Sequence, residues 1–522
     1  MASAATVWPV SRPAVAARAA LGVVAARAAL GLGVAVLATV LAGCAVGPDF
    51  HPPQPPPSTR FTEAALPDRT VAAATAGGSA QRLALDRDIQ GAWWDLFHSP
   101  EISALVVQAL RANPDVAAAQ ATLRQARENT RAEQGALVPQ VSASAEFQRQ
   151  RESLAGFGFG SGSSTFSLYT GALDVSYTLD AFGGIRRQIE QLNAEAEYQR
   201  FELEATDLTL VANVINAAIT EASLQEQIDT THDIIRADTD GLNLTRQRFQ
   251  LGGVSQVDVL QQQSLLNTQV ATLPGLRKQL QQTRNQLAVY LGGRPDQYAR
   301  LTLDLAGLTL PNQLPVSLPS RLVEQRPDIR AYGALLHSAT AAVGVATANM
   351  LPQISLTGSY GRTGIDPSSL FTPAGIVWSI ATSITQPIFE GGTLTARRRA
   401  AQAALQVAAA QYSSTVNTAF QNVANALVAI ERDAETLQAS LAAQKTSANS
   451  LAVARSQYAA GAGTYLNVLT AEQTDFSSRL NLIVARAARF TDTVALFQAL
   501  GGGWWHRSDV DPAVAKCCGV LP

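Results

Sequence analysis

The chain repeats itself at a near-constant offset, and this constrains its fold more than any other feature. "ANPDVAAAQ" from Ala112 returns as "QRPDIRAYG" from Gln325, "LVPQVSAS" from Leu137 as "LPQISLTGS" from Leu351, and "FGGIRR" from Phe182 as "FEGGTLTARRR" from Phe389. "RFQLGGVSQVDVL" from Arg248 is answered by "QYAAGAGTYLNVL" from Gln457, and "YLGG" from Tyr290 by "ALGG" from Ala499. Landmarks that keep one order at a spacing of about 210 residues argue for duplication of a whole architectural unit. Both fold and function must therefore suit a pseudo-symmetric body. The reading divides the chain into 1–43, 44–88, a first repeat 89–310, a second repeat 311–504 and a tail 505–522.

The N-terminus reads as an export signal. Arg12, Arg18 and Arg27 precede an apolar run from Ala28 to Val40 that stops at "LAGC", Leu41 to Cys44. A basic region, a short apolar region and small residues before a cut make a secretory signal peptide of residues 1–43. A cysteine directly after Leu-Ala-Gly resembles a bacterial lipobox, which would make Cys44 the acylated first residue of the mature protein. Ala45 does not resemble the aspartate that retains lipoproteins in the inner membrane. Beyond Cys44 no run of 18 apolar residues occurs, so no helical span is expected. Residues 44–88, rich in Pro, Ala, Thr and Gly, are expected to form an extended tether, with structure resuming at Ala92.

Each copy then reads as helix, two strands, long helix, turn and helix. No glycine or proline falls between Thr393 and Ala460, which predicts a helix of about 60 residues and roughly 90 Å. The first copy has the same element from Arg187 to Gln250, marred by Gly241, and its return helix is expected to break at Pro274 and Gly275. Ala, Leu and Val recur at three- and four-residue steps, as laterally packed helix pairs require.

Between the helices the period falls to 2. Leu173, Val175, Tyr177 and Leu179 alternate with Asp174, Ser176, Thr178 and Asp180, and the alternation recurs in 141–148, 354–360 and 376–385. Strands of about ten residues with one apolar and one polar face suit a transmembrane barrel, although half-buried strands of a soluble sheet share the pattern. The lipid anchor and the absence of another core for these strands favour the membrane. Four strands cannot close a barrel alone, so the chain must oligomerise: a dimer supplies eight strands and a trimer twelve.

Gly183 and Gly184, and Gly391 and Gly392, permit sharp strand-to-helix junctions beside Phe182 and Phe389. Arg186, Arg187, Arg397, Arg398 and Arg399 follow and can reach lipid head groups, or serve only as charge at a helix start. The segments from Ser153 and from Arg362 read as loops on the far side of the membrane. Gly252, Gly253, Gly461 and Gly463 mark helix reversals where Ser255 or Thr464 can cap the next helix, and where a partner can dock.

Chemistry is not signalled. No HExxH, CxxC, GxSxG or phosphate loop is present, the five histidines do not cluster, and two methionines do not make a soft-metal path. A formal charge of -2 from 39 basic and 41 acidic residues offers no case for nucleic acid. Cys517 and Cys518 are adjacent and lie in the tail.

Taken together, the lipobox, "WWDLFHSPEISALVVQALRANPDV" from Trp93 to Val116, "LVPQVSAS", "FGG" with "IFEGG", "QYAAGAGTYLNVLTAEQ" from Gln457 and the closing "LGGGW" at Trp504 resemble the TolC-like outer-membrane efflux proteins. The resemblance extends to the lipoprotein branch that works with resistance-nodulation-division pumps. It implies a mainly α fold with a transmembrane β part: a homotrimer whose twelve-stranded barrel continues into a periplasmic α-helical barrel. It also implies a periplasmic adaptor, an inner-membrane pump, outer-membrane lipids, and iris-like opening of the helix tips. Leu466 would then form an apolar ring at the aperture, with Val257 and Gln261 as its first-copy counterparts. Thr470 stands where several members carry aspartate, so the aperture is expected to rest on packing and hydrogen bonds. The implied function is a passive exit duct for drugs or toxic compounds, not an enzyme, with no cofactor or metal beyond a lipid on Cys44. The alternatives are a coiled-coil envelope lipoprotein and a type I protein-secretion duct.

Overall fold

The computed structural model describes residues 45–58, 60–65, 67–153 and 162–507. The signal peptide, Cys44, most of the first inter-strand loop, and the tail with Cys517 and Cys518 lie outside the described residues. In chain order the regular elements are β1 (Arg82–Leu85), α1 (Pro100–Ala112), α2 (Pro114–Gln134), β2 (Gln140–Ser153), β3 (Ser163–Leu179), α3 (Gly184–Gln250) and α4 (Gln256–Tyr290). They continue with β4 (Gln313–Val316), α5 (Pro319–Gln325), α6 (Pro327–Ala348), β5 (Gln353–Gly364), β6 (Ile376–Thr385), α7 (Thr393–Ala459) and α8 (Tyr465–Ala499). The order helix, helix, strand, strand, long helix, return helix occurs twice, and α3 and α7 are each 67 residues long. Two compact units are formed, one from 45–50, 128–193 and 337–406, the other from 51–127, 194–336 and 407–507. Each takes segments from both copies.

The first unit holds a four-stranded antiparallel sheet in the order β2-β3-β5-β6. Its register sorts residues by chemistry, because alternate side chains on a strand point to opposite faces. Val141 pairs with Val175, Leu173 with Tyr360 and Tyr360 with Trp378, so one face is aliphatic and aromatic. Ser144 pairs with Ala172, Ser176 with Thr357 and Ser359 with Ser379, so the other face is small and polar. The Ser144 hydroxyl donates to Asp174 at 2.9 Å on that polar face. Among the described residues nothing covers the apolar face: Trp378 is 70% exposed and Ile380 79%. At 14 and 17 residues, β2 and β3 outrun the length expected.

The second unit contains the main hydrophobic core, where Trp93 stacks on Phe497 at 5.1 Å and Phe97 meets Phe490 at 6.3 Å. The repeated "NPD" and "RPD" motifs have the same structural task in the two copies. Asn113 Nδ2 donates to the carbonyl of Tyr290 at 3.0 Å, and Arg326 Nη1 to that of Ala499 at 2.8 Å. Each thereby satisfies the last residue of its own return helix, where backbone acceptors lack intrahelical donors.

Two expectations are corrected. The helix α4 runs unbroken through Pro274 and Gly275, losing one ladder bond but keeping its packing on both sides of the proline. The segment 44–88 is not wholly a tether, because β1 pairs in parallel with β4 from Arg82↔Gln313 to Leu85↔Val316. Gln81, fully buried, donates to Pro311 O and Thr493 Oγ1, which fixes this strand's entry.

Candidate functional site

Both helix reversals end in the same motif. Gly253 N donates to Arg248 O at 2.7 Å and Gly252 N to Phe249 O at 2.9 Å; in the second copy Ala462 N donates to Gln457 O at 2.9 Å and Gly461 N to Tyr458 O at 3.1 Å. These paired bonds require a left-handed residue after the helix, supplied by Gly252 at φ +74° and Gly461 at φ +72°. Gly253 and Gly463 follow without positive φ. The next helices start differently. Ser255 makes a full capping box with Asp258, whereas Thr464 occupies the cap position with no side-chain bond, which corrects its expected role.

Leu466 and Val257 are exposed, at 54% and 59%, beside these turns. The Thr470 hydroxyl donates to Leu466 O at 2.9 Å, so this pair lies one turn apart on α8. Gln261 is half-buried and lies one turn after Val257 on α4. The residues that tie the helices together are their immediate neighbours. Tyr465 OH donates to Gln262 Oε1 and accepts from Thr245 Oγ1 at 3.1 Å, and Gln262 Nε2 donates to Asp238 O at 3.3 Å. One tyrosine on α8 thus holds both helices of the first copy's hairpin. Tyr465 also packs on Tyr458 at 5.0 Å, and Arg248 lies over Tyr458 at 5.6 Å, linking the ends of α3 and α7.

Acidic groups surround this tie although position 470 carries none. Burial, with Glu472 nearby and Arg455 opposing, pushes the Asp238 carboxyl up to about 6. Arg455 bridges Glu472 at 2.8 Å, and Asp238 Oδ2 and Glu472 Oε2 are buried without a hydrogen-bond partner among the described residues. Asp475, buried, is held by Arg479 at 2.8 Å and by the Ser447 hydroxyl at 3.2 Å. Gln269 donates to Gln473 at 3.0 Å. Sequence reasoning missed Tyr465, Gln262 and Asp238 because they come from three helices; the only local cue was a buried-type polar residue at each.

The strand-to-helix junctions differ between copies. Gly183 adopts φ +75°, and a Cβ on it would fall 2.6 Å from the Ala45 Cα. Asp180 accepts from the amides of Ile185 and Arg186 at 3.0 Å, capping α3. Arg187, its side chain only 5% exposed, donates to Val46 O at 3.1 Å, Ala45 O at 3.4 Å, Asp49 Oδ1 at 2.6 Å and Glu190 Oε2 at 2.7 Å. Glu190 in turn meets His337 at 2.8 Å, on which Phe50 stacks at 4.4 Å. The first junction is therefore a seat for residues 45–50. At the second, Gly391 and Gly392 have φ of +60° and +86°, a Cβ on either would meet nothing within 4 Å, and Arg397, Arg398 and Arg399 are exposed.

Among the described residues no helix is long and apolar enough to cross a membrane, and no group of three or more His, Cys, Asp or Glu could hold a metal. The sequence model of the family described as "Outer membrane efflux protein" matches residues 105–293 and 318–502, one segment in each copy. The "Toluene efflux pump outer membrane protein TtgC" of Pseudomonas putida is 31% identical over 480 residues, covering 91% of this chain and 96% of that protein. "Outer membrane protein OprJ" of Pseudomonas aeruginosa is 29% identical, covering 90% and 95%. Among solved structures, the outer-membrane channel OprN superposes with a TM-score of 0.78 at 28% identity, over 88% of this chain and all of that one. The open state of the MtrE outer membrane channel of Neisseria gonorrhoeae gives 0.74 at 28%, over 90% and 100%.

Proposed function

Because this chain belongs to the outer membrane efflux protein family, we propose that it works as a passive, lipid-anchored trimeric duct whose gate is the Tyr465 tie. The protein is an outer-membrane efflux component and shares its fold with TolC-like channels; the coiled-coil spacer and the protein-secretion duct are not favoured. One observation carries the reading. A sheet with one bare apolar face, one small polar face and two unpaired edges, β2 and β6, is a fragment of a water-filled barrel, since backbone groups left open in lipid cost several kcal/mol each. Three copies bring twelve strands, with polar faces inward and apolar faces to lipid.

The seat at Arg187 supports lipidation of Cys44, because it fixes the chain from Ala45 onward beside the foot of the sheet. The arginines at 397–399 would meet head groups there. The duct supplies only a path; energy comes from an inner-membrane resistance-nodulation-division pump acting through a periplasmic adaptor that docks at the turns around Gly252, Gly253, Gly461 and Gly463. Leu466, Thr470, Val257 and Gln261 line the aperture, and the hydrogen bonds from Tyr465 hold it shut until the adaptor competes for the turns. Relatives named for toluene and antibiotic efflux favour small, largely apolar toxic molecules as cargo.

The test is the mass of the purified mature protein by light scattering in detergent, with its insertion into liposomes. Three chains per particle and detergent-dependent solubility are expected. A water-soluble single chain would overturn the proposal.

A further inference from the structure

Charge on the four-stranded sheet is segregated by face. The three carboxylates of its strands, Glu146, Glu152 and Asp174, fall on the polar face by register, and its three arginines, Arg149, Arg151 and Arg362, fall on the apolar face. The two copies also follow one pattern, position by position. Along β2 the apolar face reads Val141, Ala143, Ala145, Phe147, Arg149; along β5 it reads Ile354, Leu356, Gly358, Tyr360, Arg362. Each strand thus passes from aliphatic to aromatic to arginine toward its loop end. Arg149 lies eight residues beyond Val141, which is about 27 Å along the strand and about 21 Å of height at a tilt near 40°, close to the outer limit of a ~25 Å apolar band.

An arginine at the centre of that band would cost about 2–4 kcal/mol, and at the interface little. Its planar fork is suited to bidentate contact with phosphate. Arg362 Nη1 is engaged by Leu370 O at 3.0 Å and Thr372 O at 3.5 Å, which holds the guanidinium at the strand end with its remaining N–H groups unused by hydrogen bonds among the described residues. Arg149 is exposed, and the next arginine out, Arg151, donates to Ser163 Oγ at 2.9 Å. No carboxylate of the sheet shares their face to neutralise them.

We propose that Arg149 and Arg362 are two equivalent phosphate-binding positions for a phosphorylated glycolipid of the outer leaflet, six per trimer, each roofed by an adjacent aromatic ring. The inference rests on the barrel reading above. Phe147 and Tyr360 pack against the sugar or upper acyl region, and the guanidinium takes the phosphate. Charge complementarity selects this occupant, since an uncharged lipid would leave the arginines unpaired at a low-dielectric boundary.

The experiment measures thermal stabilisation and retention by native mass spectrometry of the purified trimer with added lipopolysaccharide of the deep-rough type, with the same lipid after enzymatic removal of its phosphates, and with inorganic phosphate alone. The proteins are wild type, Arg149→Gln, Arg362→Lys and Arg149→Gln with Arg362→Gln. Wild type should bind the phosphorylated lipid at least tenfold more tightly than the dephosphorylated one and ignore inorganic phosphate. Arg149→Gln should lose severalfold affinity with an unchanged melting point in detergent, Arg362→Lys, which keeps the charge but not the fork, should lose affinity by a smaller factor, and the double variant should lose the phosphate preference. Equal binding of the two lipids, a preference undiminished in the double variant, or the same shift with inorganic phosphate would overturn the proposal. A chain that forms no membrane-inserted trimer would sink the barrel reading and this inference together, whereas an inserted trimer indifferent to phosphate sinks this inference alone.

Discussion

Replacing Tyr465 with phenylalanine removes one hydroxyl and keeps the ring packed on Tyr458 at 5.0 Å. Two hydrogen bonds are lost, the donation to Gln262 Oε1 and the acceptance from Thr245 at 3.1 Å. The donation contributes about 1 kcal/mol net, the Thr245 bond adds little because its one proton is shared with Gly241 O at 2.9 Å, and Gln262, 1% exposed, is left with a buried acceptor whose desolvation costs about 1–3 kcal/mol more. The tie between α8 and the α3–α4 hairpin therefore weakens by about 2–4 kcal/mol. If it exists only in the closed arrangement, the open-to-closed ratio rises at least ~30-fold, at about 1.4 kcal/mol per factor of ten. Gln262→Ala should act in the same direction, and the double variant should gain far less than the sum, because the two residues share one bond. Single-channel recording in planar bilayers reads open probability directly, with light scattering to establish that the trimer is intact. An intact Tyr465→Phe trimer with unchanged open probability refutes the gating argument.

Three further outcomes are expected. The Asp238 carboxyl, raised from 3.8 to about 6, binds its proton more tightly in the packed helices than when released, so its contribution to closure is full below pH 4 and is lost as pH rises through about 6; open probability should climb between about pH 4 and 6 and level off above, and Asp238→Asn should flatten the profile. Arg187→Ala removes four contacts to residues 45–49 and Glu190, one of them to the exposed Asp49 and worth little, so a loss of about 1–2 kcal/mol and faster limited proteolysis within residues 45–50 are expected. Gly461→Ala at φ +72° should lower stability by about 1 kcal/mol, whereas Gly275→Ala, mid-helix with nothing within 4 Å, should raise it by about 0.5–1 kcal/mol in chemical unfolding.

What could be read from residues alone was whatever repeats locally. The unbroken run from Thr393 foretold a helix of about 60 residues where 67 are observed, and period-2 alternation sorted Leu173, Val175 and Trp378 from their polar neighbours, after which the register set all three on one face. Elements fixed by tertiary contact were hidden. The strand β1 is four residues in a polar stretch and exists because β4 lies beside it, and α4 survives Pro274 because its neighbours hold both halves. The residues that tie the hairpins stand one position from the expected aperture residues, Tyr465 beside Leu466 and Gln262 beside Gln261, and were not legible because which face of α8 meets α4 depends on a helix pairing across 203 residues. The difference between the two junctions was equally invisible: among the described residues the N-terminal segment lies against the first junction, where Phe182 and Arg187 bond to its backbone.

The measurement closest to the central claim is cysteine accessibility along the sheet in intact cells, in a background with Cys517→Ser and Cys518→Ser. Single cysteines at Ser144, Ser176, Ser359 and Ser379 on one face, and at Val175, Leu356 and Ile380 on the other, are exposed to a small charged thiol reagent. A water-filled barrel predicts labelling of the first set and protection of the second by lipid, alternating with a period of two residues. Labelling of both sets alike, or of the apolar set alone, would contradict it.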